Sequence, residues 1–429
     1  MSKAIFYTLG CRLNQTESAV IAKSLEDIGY QISEAKEAVD LCVINTCTVT
    51  NQSDSKCRQS IRAIVKKNPG AIIAVVGCFA QMASDQIKEL GGVDIILGNQ
   101  EKLNLYQYIE QARHSSEPIV KVGAISKEAF SVDTIGQHWG STRANLKIQD
   151  GCDFVCSFCI IPRARGRSRS REIDNIRLEA ETLGRAGVKE IVLTGVNVGT
   201  FQQDDKGILE LIDLFEQIAG IERVRISSIE PTTVDTALFE LMRRDTSKLL
   251  PYLHLPLQAG SNSVLKAMRR RYSIEEYSEY VRRAETEVPD ICIGSDIIVG
   301  FPGETDEMFE ETLRTLQGLS IHYFHVFPYA ERKGTKSEKM GDKVNSKTIS
   351  RRASILRNLS EQKKAGFAAR FVGRSLKVLF ESNNKGKIWK GYTENYIRVV
   401  AESDLKLNNQ IRLVRIVESK NGQVHGLLV

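Results

Sequence analysis

The feature that most constrains the fold is a regular alternation of short apolar runs with longer amphipathic segments. In residues 1–113 the apolar runs are typical of buried strands, and each is followed by a segment with helical periodicity. This order predicts a parallel sheet, because parallel strands need a crossover between them. The predicted strands are 3–9, 40–45, 71–77 and 93–97. We therefore expect an N-terminal parallel-sheet α/β domain over residues 1–113.

Three of the nine cysteines follow these strands closely. We call Cys11, Cys47 and Cys78 the sheet triplet. The carboxyl ends of parallel strands lie on one edge of a sheet, so we expect the three thiols to meet in one crevice. The alternative is three buried apolar cysteines, which are common in protein cores. A ligand role for Cys57 stays open. We interpret the cysteines outside the two triplets as packing residues: Cys42, Cys57 and Cys292.

A second set of cysteines forms a tight C-x₃-C-x₂-C motif, which we call the loop triplet: Cys152, Cys156 and Cys159. Three thiolates in one loop can bind three irons of a [4Fe-4S] cluster, which leaves the fourth iron open to a small molecule. Zinc is the alternative metal for these cysteines. A structural zinc site normally has a fourth Cys or His nearby, however, and residues 160–171 contain neither. The motif therefore favours an iron–sulfur cluster.

Residues 142–340 repeat the βα alternation six times. Six such units predict a partial (βα)₆ barrel rather than an open sheet, and in either fold ligands bind at the carboxyl ends of the strands. Glycine there permits close backbone approach, and polar side chains can orient an amino-acid or ribose group. Residues 114–141 lack periodicity and are predicted to be a linker. The candidate cofactor-binding residues at strand ends are Gly195, Asn197, Glu230, Gln258, Ser261 and Asp296.

Five arginines alternate along the segment that follows the loop triplet. An extended segment would place them on one side, where guanidinium groups suit a phosphate backbone. The alternative is a set of structural salt bridges. The candidate RNA-binding residues are Arg163, Arg165, Arg167, Arg169 and Arg171.

The last quarter of the chain is basic. Residues 331–429 contain 22 Lys and Arg but only 9 Asp and Glu, which suggests a polyanionic partner, although a solvated charged helix would also explain the pattern. Residues 341–370 are predicted to be a basic helical connector. Residues 371–429 contain short β-like runs that predict a small antiparallel β-barrel, OB-like, of a kind that often binds RNA.

The chain lacks the n-region and cleavage site of a signal peptide and has no apolar stretch of membrane-spanning length. We therefore expect a cytoplasmic protein with no membrane partner. In that compartment nine cysteines indicate metal or redox chemistry rather than structural disulfides.

These motifs together resemble a known family. The loop triplet resembles that of radical S-adenosylmethionine (SAM) enzymes. The order of a three-cysteine domain, a barrel and a small β-domain resembles the methylthiotransferases, in which the last domain is called TRAM. The resemblance covers nearly the whole chain and depends on LGCRLNQTES, INTCTV, VVGC, GCDFVCSFCIIPRARGRSRSR, LHLPLQAGSNSVLKAMRRRY and DIIVGFPGET.

The resemblance implies two [4Fe-4S] clusters and SAM as cofactors. The loop triplet would hold the cluster that binds and cleaves SAM, and the resulting 5′-deoxyadenosyl radical would abstract hydrogen from adenine C2. The sheet triplet would hold the cluster that carries the transferred sulfur. LGCRLNQTES and NTCTVTNQSDSKCRQ are similar to the branch that modifies N6-threonylcarbamoyladenosine 37 in the tRNA anticodon stem-loop. Such a transferase of sulfur-containing groups also needs an electron donor and a sulfur source.

Several alternatives stay open. Sister branches of the family modify isopentenyladenosine 37 in tRNA or an aspartate of a ribosomal protein. A radical SAM enzyme with another reaction type could use the sheet-triplet cluster only for electron transfer. A zinc-stabilised, non-catalytic RNA-binding protein would also explain the cysteines and the basic tail.

Overall fold

The N-terminal part of the chain forms a six-stranded, all-parallel sheet with the order β2-β1-β3-β4-β5-β6. The computed structural model describes residues 2–33, 38–132, 142–244, 246–381, 386–420 and 423–429. The strands are β1 (Lys3–Thr8), β2 (Gln31–Ile32), β3 (Leu41–Thr46), β4 (Ile72–Gly77), β5 (Ile95–Leu97) and β6 (Ile119–Lys121). The predicted parallel sheet is confirmed, and it includes two short edge strands that sequence periodicity did not indicate.

Helices cover both faces of this sheet. Leu41 and Val43 of β3 enter one hydrophobic core, whereas Cys42 and Ile44 enter another. Such two-sided burial explains why the strands are nearly continuous apolar runs. The helices are α1 (Arg12–Asp27), α2 (Asn51–Lys67), α3 (Cys78–Lys88) and α4 (Ile109–Arg113), with a 3₁₀ segment at Lys102–Tyr108.

Strand β6 lies inside the segment 114–141, which we predict to be a linker. It pairs with β5 and so extends the parallel sheet. The last part of that predicted linker, residues 133–141, lies outside the described residues.

The central region contains six parallel strands in two groups of three, β7-β10-β11 and β12-β13-β14. A parallel bridge between Val224 and Leu249 joins the groups. The expected partial barrel is confirmed. Its strands are β7 (Arg143–Lys147), β10 (Glu190–Thr194), β11 (Arg223–Ile226), β12 (Tyr252–His254), β13 (Cys292–Val299) and β14 (Tyr323–Pro328), and a small hairpin pairs β8 (Gln149–Asp150) with β9 (Arg169–Ser170).

Seven helices belong to this region. They are α5 (Ile161–Arg165), α6 (Ile173–Arg185), α7 (Ile208–Glu216), α8 (Ala237–Arg243), α9 (Asn262–Met268), α10 (Ile274–Glu287) and α11 (Asp306–Gly318), with 3₁₀ segments at Val198–Thr200, Pro231–Thr233 and Ser337–Lys339.

The basic connector is one long helix, α12 (Ser346–Ala369), which the side chain of Asn345 caps by accepting the Thr348 amide at 2.9 Å. A closed five-stranded barrel follows in the order β15-β16-β17-β19-β18. Four of its strand pairs are antiparallel, and β17 and β19 are parallel. The strands are β15 (Ser375–Phe380), β16 (Ile388–Thr393), β17 (Arg398–Glu402), β18 (Ile411–Lys420) and β19 (Gln423–Leu428).

Two buried arginines dock this small barrel onto β11 of the central barrel. Arg223 donates to the carbonyl of Lys377 at 3.0 Å, and Arg225 donates to the carbonyl of Glu394 at 3.1 Å. Within the described ranges, none of the helices combines the length and the apolar character that crossing a bilayer requires.

Candidate active site between two cysteine triplets

The sheet triplet lies where the sequence predicts it. Cys11 is the N-cap of α1, Cys47 follows β3, and Cys78 begins α3 directly after β4. Since β1, β3 and β4 are adjacent parallel strands, the three cysteines sit on one edge of the sheet. Gly10 makes this approach possible, because a Cβ there would lie 2.6 Å from that of Cys47.

Burial affects the protonation of Cys47 most directly. It raises the pKa of Cys47 to about 11, with a smaller contribution from the neighbouring thiols of Cys78 and Cys11. Cys57 packs below the site: its Sγ donates to the Cys47 carbonyl at 3.3 Å, and burial raises its pKa to about 11 as well. Thiolates in this position need a compensating cation, which an iron–sulfur cluster supplies.

Two asparagines shape the sheet triplet. Asn14 donates to the carbonyls of Leu9 and Thr46, both at 2.9 Å, and so joins the turns that carry Cys11 and Cys47. Asn99 places its Nδ2 3.5 Å from the Sγ of Cys78. Sequence reasoning did not identify Asn14 or Asn99, and their position close to a cysteine or a strand end is the only signal that could have indicated them.

The loop triplet lies between β8 and α5, and its three cysteines are partly exposed. Burial, with a smaller contribution from Cys156, raises the pKa of Cys152 to about 11 and that of Cys159 to about 12. Gly151 permits the tight turn, since a Cβ there would lie 2.0 Å from the Arg167 carbonyl oxygen. The three thiols thus lie within electrostatic range of one another.

One arginine contacts the loop triplet directly. Arg270 donates through Nη1 to the Sγ of Cys156 at 3.3 Å. Its Nη2 is held by a carboxylate oxygen of Glu230 and by the Tyr272 hydroxyl. Glu230, which we predict to bind a cofactor, is thus the ion-pair partner of Arg270. Hydrogen bonds to cluster sulfurs are a recurrent way to tune iron–sulfur centres.

The other predicted cofactor-binding residues fall into two linked groups and one separate residue. The amide of Glu230 donates to Asn197 Oδ1 at 3.3 Å, and Gly195 precedes Asn197 after β10. The backbone N–H of Gln258 donates to the backbone carbonyl of Asp296 at 2.8 Å. Ser261 is the buried N-cap residue of α9 and belongs to neither group.

Two features at these positions favour ligand contact. Among the described residues, Asn197 Nδ2 and the Ser261 hydroxyl are buried without a hydrogen-bond partner. Gln258 has a φ of 76°, which is uncommon for a residue other than glycine. Such orphaned groups and backbone strain are typical of ligand sites.

All nine cysteines are free thiols. Among the residues that the structure describes, no three His, Cys, Asp or Glu side chains converge closely enough to ligate one metal ion. The cysteines of a [4Fe-4S] cluster each bind a different iron, so they lie farther apart than the ligands of one ion. Free thiols in threes, with N–H donors directed at sulfur, fit a cluster with one open iron.

Two cavities open onto the triplets. The large cavity has a volume of about 670 Å³ and is lined by Cys11, Gly195 and Asp296 together with residues of α12 and the small barrel. The small cavity, of about 230 Å³, is lined by Cys159, Gln258 and Asp296. Asp296 borders both, and its carboxylate pairs with His254 Nε2 at 3.1 Å. His254 thus lines the large cavity beside Asp296, and we did not assign it from the sequence.

Three of the five arginines that we predict to bind RNA are buried. The side chains of Arg165 and Arg171 are only 1% exposed, and that of Arg169 is 9% exposed. Arg171 is held by Glu179 and Asn175, and Arg169 lies 3.5 Å from Asp150. These three cannot reach a phosphate, because the segment folds inward through the β8–β9 hairpin. Arg163 and Arg167 are exposed and stay candidates for RNA contact.

Arg165 belongs instead to a buried ionic cluster, which we call the Glu17 network: Glu17, Lys102, Lys147, Asp150 and Arg165. Glu17 Oε1 lies 2.9 Å from Arg165 and 2.8 Å from Lys147, and its Oε2 lies 2.5 Å from Lys102. Burial alone would raise the pKa of Glu17, but these three cations hold it well below its usual range.

The Glu17 network joins the two triplets. Arg165 also donates to Asn14 Oδ1 at 2.9 Å, and Asn99 donates to the carbonyl of Ala164 at 2.6 Å. Asn14 and Asn99 border the sheet triplet, whereas Ala164 and Arg165 lie on α5, directly after the loop triplet. These contacts fix the two cysteine sites relative to each other.

Comparisons with known proteins agree with this geometry. Residues 146–316 match the radical SAM superfamily, and residues 3–98 match the uncharacterized protein family UPF0004. The model resembles the radical S-adenosylmethionine methyltransferase TsrM from Kitasatospora setae, solved with tryptophan and a SAM analogue, with a TM-score of 0.56 at 15% identity over 76% of this chain and 73% of that one. At that identity the likeness shows the fold alone.

Sequence relatives cover nearly the whole chain. The threonylcarbamoyladenosine tRNA methylthiotransferase MtaB of Bacillus subtilis is 37% identical over 98% of this chain and 94% of its own length. Its namesake in Aquifex aeolicus is 36% identical over 96% and 100%. The tRNA-2-methylthio-N(6)-dimethylallyladenosine synthase of Fusobacterium nucleatum is 33% identical over 100% of both chains. The chain therefore belongs to the radical SAM methylthiotransferase family, which uses [4Fe-4S] clusters and SAM.

Proposed function

We propose that this protein is a tRNA methylthiotransferase that inserts a methylthio group at C2 of N6-threonylcarbamoyladenosine 37. The observation that carries the proposal is the junction of two cysteine triplets across the Glu17 network, with one cavity bordered by Cys11 and Asp296. One triplet can serve radical formation and the other sulfur delivery. The names of the relatives in Bacillus and Aquifex favour the threonylcarbamoyl substrate.

The two cysteine triplets have different roles in this proposal. The loop triplet would hold the cluster whose open iron binds SAM, and the sheet triplet would hold a second cluster. When bound, these groups supply a carbon radical and a sulfur atom, which an unactivated aromatic C–H requires. Cys11, Cys47 and Cys78 act as thiolate ligands on the edge that faces the large cavity.

The chain's other residues orient and shield the site. Arg270, held by Glu230, donates to Cys156. Asn197 and Ser261 offer unpartnered buried groups to a ligand. Gln258, in the loop after β12, bridges to Ile297, and Asp296 lies within β13 and borders both cavities. We assign SAM contacts to these residues and to Gly195, because each lines one of the two cavities or carries an unpartnered buried polar group.

RNA binding belongs to the exposed basic groups. Arg163, Arg167, α12 and the small barrel are proposed to hold the anticodon stem-loop, whose unstacked bases can enter the cavity. An electron donor and a sulfur source complete the reaction.

Mass spectrometry of tRNA nucleosides from a strain that lacks the gene tests this proposal. We expect the 2-methylthio group to disappear from threonylcarbamoyladenosine and to return when the gene is restored. The Fusobacterium relative makes isopentenyladenosine the second candidate substrate. Loss of the methylthio group from isopentenyladenosine alone would contradict the proposal and would show that the protein belongs to the branch that modifies isopentenyladenosine 37.

A further inference from the structure

The large cavity has an aromatic wall. The rings of Tyr392 and Tyr396 stack with centroids 4.9 Å apart and an angle of 24°, and Tyr252 lies 4.7 Å from Tyr396. Tyr396 has a φ of 66°, a strained conformation for a bulky residue, and its hydroxyl accepts a hydrogen bond from Arg12 at 3.0 Å. Arg143 lies over Tyr392 at 4.5 Å and Arg225 lies over Tyr396 at 4.9 Å, so guanidinium groups already cover part of the ring faces. The wall therefore offers a base a flat, polarised surface to lie against.

The cavity is also positively charged. Three lining residues are basic, namely Arg12, Lys364 and Arg398. Among the described residues that line the cavity, the one carboxylate is Asp296, which lies 3.1 Å from His254. Within the described ranges, no carboxylate lies at ion-pair distance from Lys364 or Arg398, and both side chains are exposed.

Other titratable groups do not change this balance. His322 and His325 line the cavity as well. Burial lowers the pKa of His322 to about 4 and lowers that of His325, so both are neutral at physiological pH. Among the described residues, the cavity lining therefore offers no unpaired anion to match Lys364 and Arg398.

We propose that Lys364 and Arg398 bind a carboxylate on the N6 substituent of the target base, while the base lies against the tyrosine wall. The cavity volume of about 670 Å³ accommodates a nucleoside with a side chain. A threonylcarbamoyl group carries a carboxylate, whereas an isopentenyl group is apolar and would leave both cations unpaired. This inference rests on the proposed function and names the residues that would select its substrate.

The test uses the full-length, cluster-loaded protein and four anticodon stem-loops. Position 37 carries threonylcarbamoyladenosine, its neutral carboxamide analogue, isopentenyladenosine or adenosine. Fluorescence anisotropy measures the Kd of each RNA for the wild type, Lys364→Gln and Arg398→Gln. Lys66→Gln, an exposed lysine in the last turn of α2, is the matched charge control. Thermal melting checks that each variant is folded.

We expect the wild type to bind the carboxylate-bearing RNA about tenfold more tightly than the carboxamide, as a charge-assisted hydrogen bond predicts. Each cavity variant should lose most of that preference, while the adenosine and carboxamide RNAs bind as before and Lys66→Gln behaves as wild type. Equal weakening for all four RNAs would mean that the cations contact backbone phosphate, which overturns the inference but leaves the proposed function intact. If the wild type methylthiolates only isopentenyladenosine, both fail.

Discussion

At the scale of single residues, the most informative contact is the hydrogen bond that Arg270 donates to the Sγ of Cys156 in the loop triplet. Arg270 belongs to a run of three arginines that precedes Tyr272, and nothing in that run distinguishes it. The structure does: Arg270 is buried beside Glu230, whereas Arg271 is exposed and stacks on Phe154 at 4.3 Å. Sequence alone could not select one arginine of three, because the choice depends on the path of the loop that joins α9 to α10.

Replacing Arg270 should alter the cluster on the loop triplet. Arg270→Gln removes the N–H donor to Cys156 Sγ, and we expect a more negative reduction potential because hydrogen bonds to sulfur stabilise the reduced cluster. A redox titration followed by electron paramagnetic resonance measures the shift. Arg271→Gln is the matched control and should leave the potential unchanged. Equal potentials in both variants would show that the contact has no electronic role.

Glu17 is the residue on which the two cysteine sites depend most. It faces Lys102, Lys147 and Arg165, so Glu17→Gln leaves buried cations uncompensated. We expect a loss of about 3–5 kcal/mol in the free energy of unfolding, measured by denaturant titration. Asp27→Asn on the same helix removes an exposed pair with Lys23 and should have little effect. A loss in Glu17→Gln no larger than the control's would contradict this role.

The same carboxylate gives a pH dependence with a defined sign. The pKa of Glu17 is lowered in the folded protein, so its contribution is complete above the unfolded-state value near 4.5 and declines as the pH falls below it. The stability difference between the wild type and Glu17→Gln should therefore shrink in acid. A difference that grows below pH 4.5 would contradict the assignment.

At the scale of elements, the turns after parallel strands create the sheet triplet. The parallel sheet and the convergence of its three cysteine-bearing turns could be predicted from sequence, because apolar runs that alternate with helical segments leave few topologies. Strands β6 and β16 could not be predicted from sequence. Strand β6 has only three residues, and the sequence of β16, IWKGYT, has no clear hydrophobic period. The buried arginines were misjudged for a related reason: alternation in sequence does not reveal that the β8–β9 hairpin turns inward.

Gly10 tests whether the first turn is a close approach of the backbone. Gly10→Ala places a Cβ against Cys47 at a position whose φ is 111°, so we expect the sheet triplet to lose its cluster while the loop triplet keeps its own. Iron analysis should then show about four irons per chain. Gly29→Ala, with a φ of 92° and open space around its Cβ, should retain full iron content. Full iron in Gly10→Ala would contradict the close approach.

At the scale of the whole molecule, charge and architecture divide between the parts of the chain. The basic last quarter of the chain forms α12 and the small barrel, and the buried Arg223 and Arg225 anchor that barrel beside the large cavity. The overall charge distribution could be read from sequence, but the joint lining of one cavity by three parts of the chain could not, because it depends on docking.

Exposed and buried arginines should respond differently in RNA binding. Arg167→Gln removes an exposed cation, so the slope of log K against log salt should fall by about 1. Arg171→Gln should keep the slope but lower the melting temperature, because it removes a buried partner of Glu179. A changed slope in Arg171→Gln would mean that this segment opens to reach RNA.

The central claim is that each cysteine triplet holds its own cluster, and iron and sulfide analysis after anaerobic reconstitution tests it most directly. We expect about eight irons and eight sulfides per chain in the wild type. A triple alanine variant of Cys11, Cys47 and Cys78 should hold about four of each, as should a triple alanine variant of Cys152, Cys156 and Cys159. A wild-type value near four, or stoichiometric zinc in place of iron, would contradict the claim.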